Sequence, residues 1–164
     1  MTLATILFIL AAFVSVVRPG HGRSNRLPEF FWPVRIYYED TDAGGVVYHA
    51  RYLHLLERAR TEWLRSLGVE QDRLLAETSL LFLVSHLVVD YLRPARFNQQ
   101  LQVTVVPLSI RGIRMLLQQE VRDLDGVIHC RAEVTVVCAR APELKPVRLP
   151  RFLIEELPDG LREP

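Results

Sequence analysis

The apolar residues Tyr52, Leu56, Ala59, Trp63 and Leu67 recur at steps of three and four. That spacing predicts one long helix from about Ala50 to Leu67, with a single apolar stripe to bury. Arg51, Arg58, Glu62 and Arg65 fall mostly off the stripe, and Gly68 stands where such a helix ends. A second helical stretch, Gln71 to Glu77, is shorter. Almost everything else reads as strand. Trp32 to Tyr38 is β-branched and aromatic, and precedes the helix. After it come Leu80 to Tyr91, Leu101 to Leu108, Arg114 to Arg122 and Val127 to Ala139. Arg93-Pro94, Arg111-Gly112 and Asp123 to Gly126 separate them. One strand, one long helix and four consecutive strands define an α+β domain. In it, an antiparallel sheet can wrap a single buried helix.

The last strand divides cleanly. Cys130, Ala132, Val134, Val136 and Cys138 fall on one face, and His129, Arg131, Glu133 and Thr135 on the other. The two cysteines, eight residues apart on one strand, are roughly 26 Å from each other at about 3.3 Å per residue. A disulfide needs Cα atoms within about 7 Å, so they are expected to be buried, reduced core residues.

Composition matters most at the N-terminus. The chain has 164 residues, 49% hydrophobic and 24% charged, with net charge +1. The length suits one domain with a real core, and the charge balance argues against a nucleic-acid partner. But Met1 to Val17 carries no charge at all. A spanning helix needs about 17 residues or more. Residues 1–17 are therefore read as an apolar leader, either a membrane anchor or a start-site artefact. A cleaved signal fits less well, because no basic residue precedes Leu3. Arg18, Arg23 and Arg26 follow the run, so an anchored domain would stay in the cytoplasm, at the inner membrane. Residues 18–29 read as a linker, 30–157 as the domain and 158–164 as a tail.

Between the first strand and the helix lies the densest chemistry, Tyr38 to Ala50, YEDTDAGGVVYHA. Asp and Gly are ordinary turn formers, and acids suit a helix start. A calcium loop beginning at Asp40 fails, because Gly44 and Arg51 occupy ligand positions. A transition-metal site of Asp40, Asp42 and His49 lacks a fourth ligand. No glycine-rich phosphate motif or nucleophile elbow occurs. No metal and no cofactor are expected.

The run VRIYYEDTDAGGVVYHARYLHLLERARTEWLR, Val34 to Arg65, closely resembles the tol-pal-associated acyl-CoA thioesterases of the 4-hydroxybenzoyl-CoA thioesterase-like hotdog family. The resemblance runs on through LVVDYLRPAR (Leu87 to Arg96), SIRG (Ser109 to Gly112), AEVTVVC (Ala132 to Cys138) and KPVRLP (Lys145 to Pro150). It implies a hotdog fold, a five-stranded antiparallel sheet around one long central helix. It also implies a homo-oligomer, dimer or tetramer, with sites at subunit interfaces. The implied activity is hydrolysis of an acyl-CoA thioester to a carboxylic acid and free CoA. The family's catalytic aspartate maps onto Asp42 and its helix-head histidine onto His49. Asp42 would be base or nucleophile, with the helix N-terminus polarising the carbonyl. Gly44 and Gly45 would let the backbone approach the acyl carbon, and Tyr48 would wall the pocket. Glu57 is a secondary candidate, since a related branch places its carboxylate there; an ion pair with an arginine is the plainer reading. Lone His54 and His86 are not assigned to catalysis. Arg93, Arg96 and Arg111 are candidates for CoA phosphates, against a default of solvated charge. Two rivals stay open: a hydroxyacyl-carrier dehydratase, and a non-catalytic binder of acyl carrier protein or acyl-CoA at the membrane.

Overall fold

A computed structural model describes residues 29–161 of the chain. The leader at 1–17, nearly all of the 18–29 linker and the last three residues of the tail lie outside the described residues. Among the described residues no helix is long and apolar enough to cross a membrane.

Strand β1 (Phe30–Arg35) leads through a single 3-10 turn, Tyr38–Asp40, to the long helix α1 (His49–Ser66). A short helix α2 (Gln71–Thr78) follows. Then come β2 (Leu80–Tyr91), β3 (Gln100–Arg111), β4 (Arg114–Asp123) and β5 (Ile128–Arg140). All pairings are antiparallel, in the order β1-β3-β4-β5-β2. This is the expected five-stranded sheet, with a two-residue β6 (Lys145–Pro146) added beside β5 and a one-turn helix α3 (Arg151–Glu155) after it.

Helix α1 packs on β1, β3 and β4. Tyr52, Leu56, Ala59 and Trp63 are buried as the stripe requires, together with Leu55 and Leu64. They meet Leu101, Val103 and Val105 of β3, Met115, Leu117 and Val121 of β4, and Cys130, Ala132 and Val134 of β5 in one core. Gly68 closes α1 at φ +77°, and Gly112 turns β3 into β4 at φ +59°. Both cysteines are buried free thiols, as expected. Burial pushes the Cys130 thiol up to about 12 and raises that of Cys138.

One local expectation fails, and one burial was not readable. The first strand ends at Arg35 rather than Tyr38. The Asp40 carboxylate accepts the Tyr37 N–H at 2.8 Å, which turns the chain into the 3-10 segment. His129 lies on the polar face of β5, yet it is buried. The β2–β3 connection folds over it: the Leu92 and Arg93 N–H groups both donate to the His129 carbonyl, and its Nε2 lies 3.5 Å from Asp123 Oδ2.

Candidate active site

The site is built from three segments that the sheet brings together: the 37–48 loop, the first turns of α1, and the end of β2 with its following loop. Asp40 anchors the first. It is buried, accepts Tyr37 N–H through Oδ2, and pairs through Oδ1 with Arg51 Nε at 2.9 Å and Nη2 at 2.7 Å. The Asp40 carbonyl also accepts the Tyr48 N–H at 2.9 Å. One residue thus fixes the loop to the head of the helix.

Asp42 is exposed at the tip of this loop. Its Oδ1 accepts the Gly44 N–H at 2.8 Å, and its carbonyl accepts the Gly45 N–H at 3.0 Å. A Cβ on Gly44 would stand 3.0 Å from Asp42 Oδ1, so the bare α-carbon lets the carboxylate fold back on the turn. Gly45 has φ +70°, the left-handed region that favours glycine. Isolated bridges Thr41 to Val47 and Val46 to Arg96 tie the loop to itself and to the chain after β2.

Asp42 and His49 open into the same cavity of about 300 Å³, with Val46, Val47, Tyr52, Tyr91, Leu92, Arg93 and Pro94. Helix α1 starts there without a side-chain cap and without an acid in its first turn. Among the described residues, neither the His49 nor the Ala50 N–H has a protein acceptor. His49, the first residue of this eighteen-residue helix, lines the cavity, so the uncapped helix start with its positive dipole end borders it. Opposite, the Tyr91 hydroxyl donates to the His49 carbonyl at 3.1 Å, and Tyr52 Oη accepts the Ala95 N–H at 3.0 Å. Burial raises both phenols above their ordinary range, which keeps them protonated at neutral pH.

The other expected residues distribute around this centre. Gly44 and Gly45 shape the Asp42 turn. The Tyr48 ring tilts against His49 at 4.3 Å but is 46% exposed and does not line the cavity. Glu57 is elsewhere: it borders a second cavity, of about 80 Å³, with Arg60, Thr61, Phe82 and Val84. Its carboxylate accepts the Thr61 hydroxyl, and its charge acts on the neighbouring Arg60 guanidinium. Arg93 lines the main cavity, Arg96 follows it, and Arg111 ends β3 a strand's length away. His54 sits 3.4 Å from Arg51 Nη1, and His86 is exposed at an irregularity in β2. Sequence reasoning missed Asp40 as the anchor and Tyr91 as a cavity wall. Tyr91 ends a strand immediately before Leu-Arg-Pro, and that breaker was its only signal. Among the described residues no three His, Cys, Asp or Glu converge as metal ligands.

A single helix held by a curled antiparallel sheet is the hotdog thioesterase fold. The chain belongs to the thioesterase-like superfamily, which it matches over residues 37–157. It is 43% identical over 127 residues to the acyl-CoA thioester hydrolase YbgC of Escherichia coli, covering 77% of this chain and 94% of that one. It is 45% identical over 122 residues to the acyl-CoA thioesterase YbgC of Haemophilus influenzae, covering 74% and 89%. Among solved structures, a probable thioesterase from Bartonella henselae superposes with TM-score 0.72 at 32% identity, covering 75% of this chain and all of that one.

Proposed function

We propose that the protein is an acyl-CoA thioesterase that works at the Asp42–His49 cavity. The reaction consumes acyl-CoA and water and yields a carboxylic acid and CoA. Asp42 acts as base or as nucleophile. As base it takes a proton from water while the water oxygen adds to the thioester carbonyl. The C–S bond then breaks, and the departing sulfur takes up the proton. As nucleophile, its oxygen displaces CoA to give an anhydride that water opens. In either route negative charge grows on the carbonyl oxygen, and the His49 and Ala50 N–H groups receive it. The His49 side chain orients water or holds the substrate. Gly44 and Gly45 keep the approach to the acyl carbon clear, and Tyr48 packs its ring against His49 beside the cavity. Glu57, in the second cavity, is assigned no catalytic step.

The observation that carries this reading is the opening of the Asp42 carboxylate and an uncapped helix N-terminus into one cavity. The curated relatives named as acyl-CoA thioesterases support the substrate class. The Asp42→Asn variant tests it. We expect an unchanged fold and a loss of about 10²-fold or more in kcat/KM on the best acyl-CoA, measured by thiol release. Near wild-type turnover would overturn the mechanism. No thiol release by the wild type from any acyl chain length would favour a non-catalytic binder instead.

The same reading makes the protein a homo-oligomer. β2 is one of the two edges of the sheet, β1 being the other, and it exposes Leu83, Val84, Val88 and Tyr91. A two-fold pairing of β2 with a second copy covers these side chains and satisfies the edge. Two such pairs would make a tetramer. The two free thiols support a reducing compartment, the cytoplasm.

A further inference from the structure

Outside the main cavity, two loops meet in an unusual surface. The Tyr38 ring stacks on Phe97 with centroids 3.8 Å apart and planes at 14°. This pair is not core: Tyr38 is 75% exposed and Phe97 42%. It is nevertheless held firmly. The Thr41 N–H donates to the Tyr38 carbonyl at 3.1 Å, and the Asn98 N–H to the Ile36 carbonyl at 2.9 Å. Arg35 Nη1 donates to both oxygens of Asn98 at 2.9 Å, and the Arg96 N–H to Gln99 Oε1 at 3.0 Å. The Val46–Arg96 bridge joins this ledge to the Asp42 loop.

Arg93 lines the cavity, and Arg96 lies along the chain between the cavity wall, which ends at Pro94, and Phe97 of the ledge. Both are exposed, and among the described residues neither guanidinium has a hydrogen-bond or ion-pair partner. In contrast, Arg35, Arg51, Arg65, Arg122 and Arg131 are all engaged. Along the chain, Arg93 of the cavity wall is followed by Arg96 and then by the aromatic pair with its exposed ring. Unpaired guanidinium groups suit phosphates, and an exposed aromatic face suits a planar base.

We propose that Tyr38, backed by Phe97, stacks the adenine of the CoA moiety, while Arg93 and Arg96 hold its phosphates. This rests on the acyl-CoA reading above and extends it to the nucleotide end of the substrate. The ledge is a binding element that takes no part in the chemical step, so its effect falls on KM.

Two thioesters with the same acyl group test it, one on CoA and one on N-acetylcysteamine, which lacks the nucleotide. In Tyr38→Ala we expect KM for the acyl-CoA to rise about five- to tenfold with kcat held, from the worth of one base–aromatic stack. For the N-acetylcysteamine thioester kcat/KM stays within about twofold. Tyr38→Phe retains wild-type behaviour on both, and Arg96→Ala, outside the cavity wall, again raises KM for the CoA ester alone. Equal losses on both substrates, or none on either, would overturn the proposal. Calorimetric titration with adenosine 3′,5′-bisphosphate keeps the test separate from turnover. Wild type should bind it and Tyr38→Ala should bind at least fivefold more weakly; equal binding, or none by wild type, overturns the ledge. Should wild type bind the bisphosphate and yet hydrolyse neither thioester, only the thioesterase reading fails.

Discussion

Asp40 and Asp42 stand two residues apart and do different work. Asp40 is buried and satisfied by Tyr37 N–H and Arg51, whereas Asp42 faces a cavity. Removing one partner of a buried hydrogen-bonded charge costs about 3–5 kcal/mol. Asp40→Ala is therefore expected to lower the melting temperature markedly, whereas Asp42→Asn leaves it near wild type; thermal unfolding of the pair checks this. Asp123 gives a pH signature. The Val127 N–H, its main partner, holds its carboxyl below the ordinary 3.8, helped by His129 and the Asp125 N–H. A depressed folded value means that its stabilisation is present above the unfolded value and is lost as pH falls through the folded one. Asp123→Ala should thus lose stability at neutral pH and show a flatter acid limb, read by denaturant melts between about pH 2 and 6. The sequence made Asp42 legible through a long motif. It gave Asp40 no distinct role, because a buried anchor and a turn former look alike until the helix it grips is in place.

At the scale of elements, the strands were readable where alternation was strong. The inward row Cys130 to Cys138 is buried as its period demands. Its thiols carry a consequence. With burial raising both, and Cys130 to about 12, neither forms thiolate at neutral pH. The native protein should label with iodoacetamide far more slowly than the unfolded chain; fast native labelling of either cysteine would contradict the packing. The burial of His129 was not readable, because strand period assigns a face, not what covers that face. The cover is a loop that arrives from β2. The end of β1 was misread for a related reason, since a side chain three residues on captures the Tyr37 N–H that a strand would have offered a neighbour. The ends of α1 and α2 moved by a residue at most, because Gly68 and the positive φ at Ser79 stop them sharply.

For the molecule as a whole, the helix-in-sheet plan followed from the order of elements, since one long stripe among strands has few places to go. What one chain's pattern did not disclose is how far the sheet continues. The apolar residues along the outer edge of β2 predict that it does. Val88→Lys should convert the protein to a monomer in size-exclusion chromatography with light scattering; an unchanged mass would remove β2 as the interface. One feature of the cavity also bears on time. The Ala95 N–H donates to Tyr52 Oη, and the Ala95 carbonyl accepts the Val47 N–H at 2.8 Å. A buried residue between two strands thereby stitches helix, Asp42 loop and β2–β3 loop at one point. Deuterium uptake at Ala95 and Val47 then acts as a clock for the separation of these walls. If both amides exchange only as slowly as the β3–β4 core, the cavity is a standing recess that opens only with the fold itself.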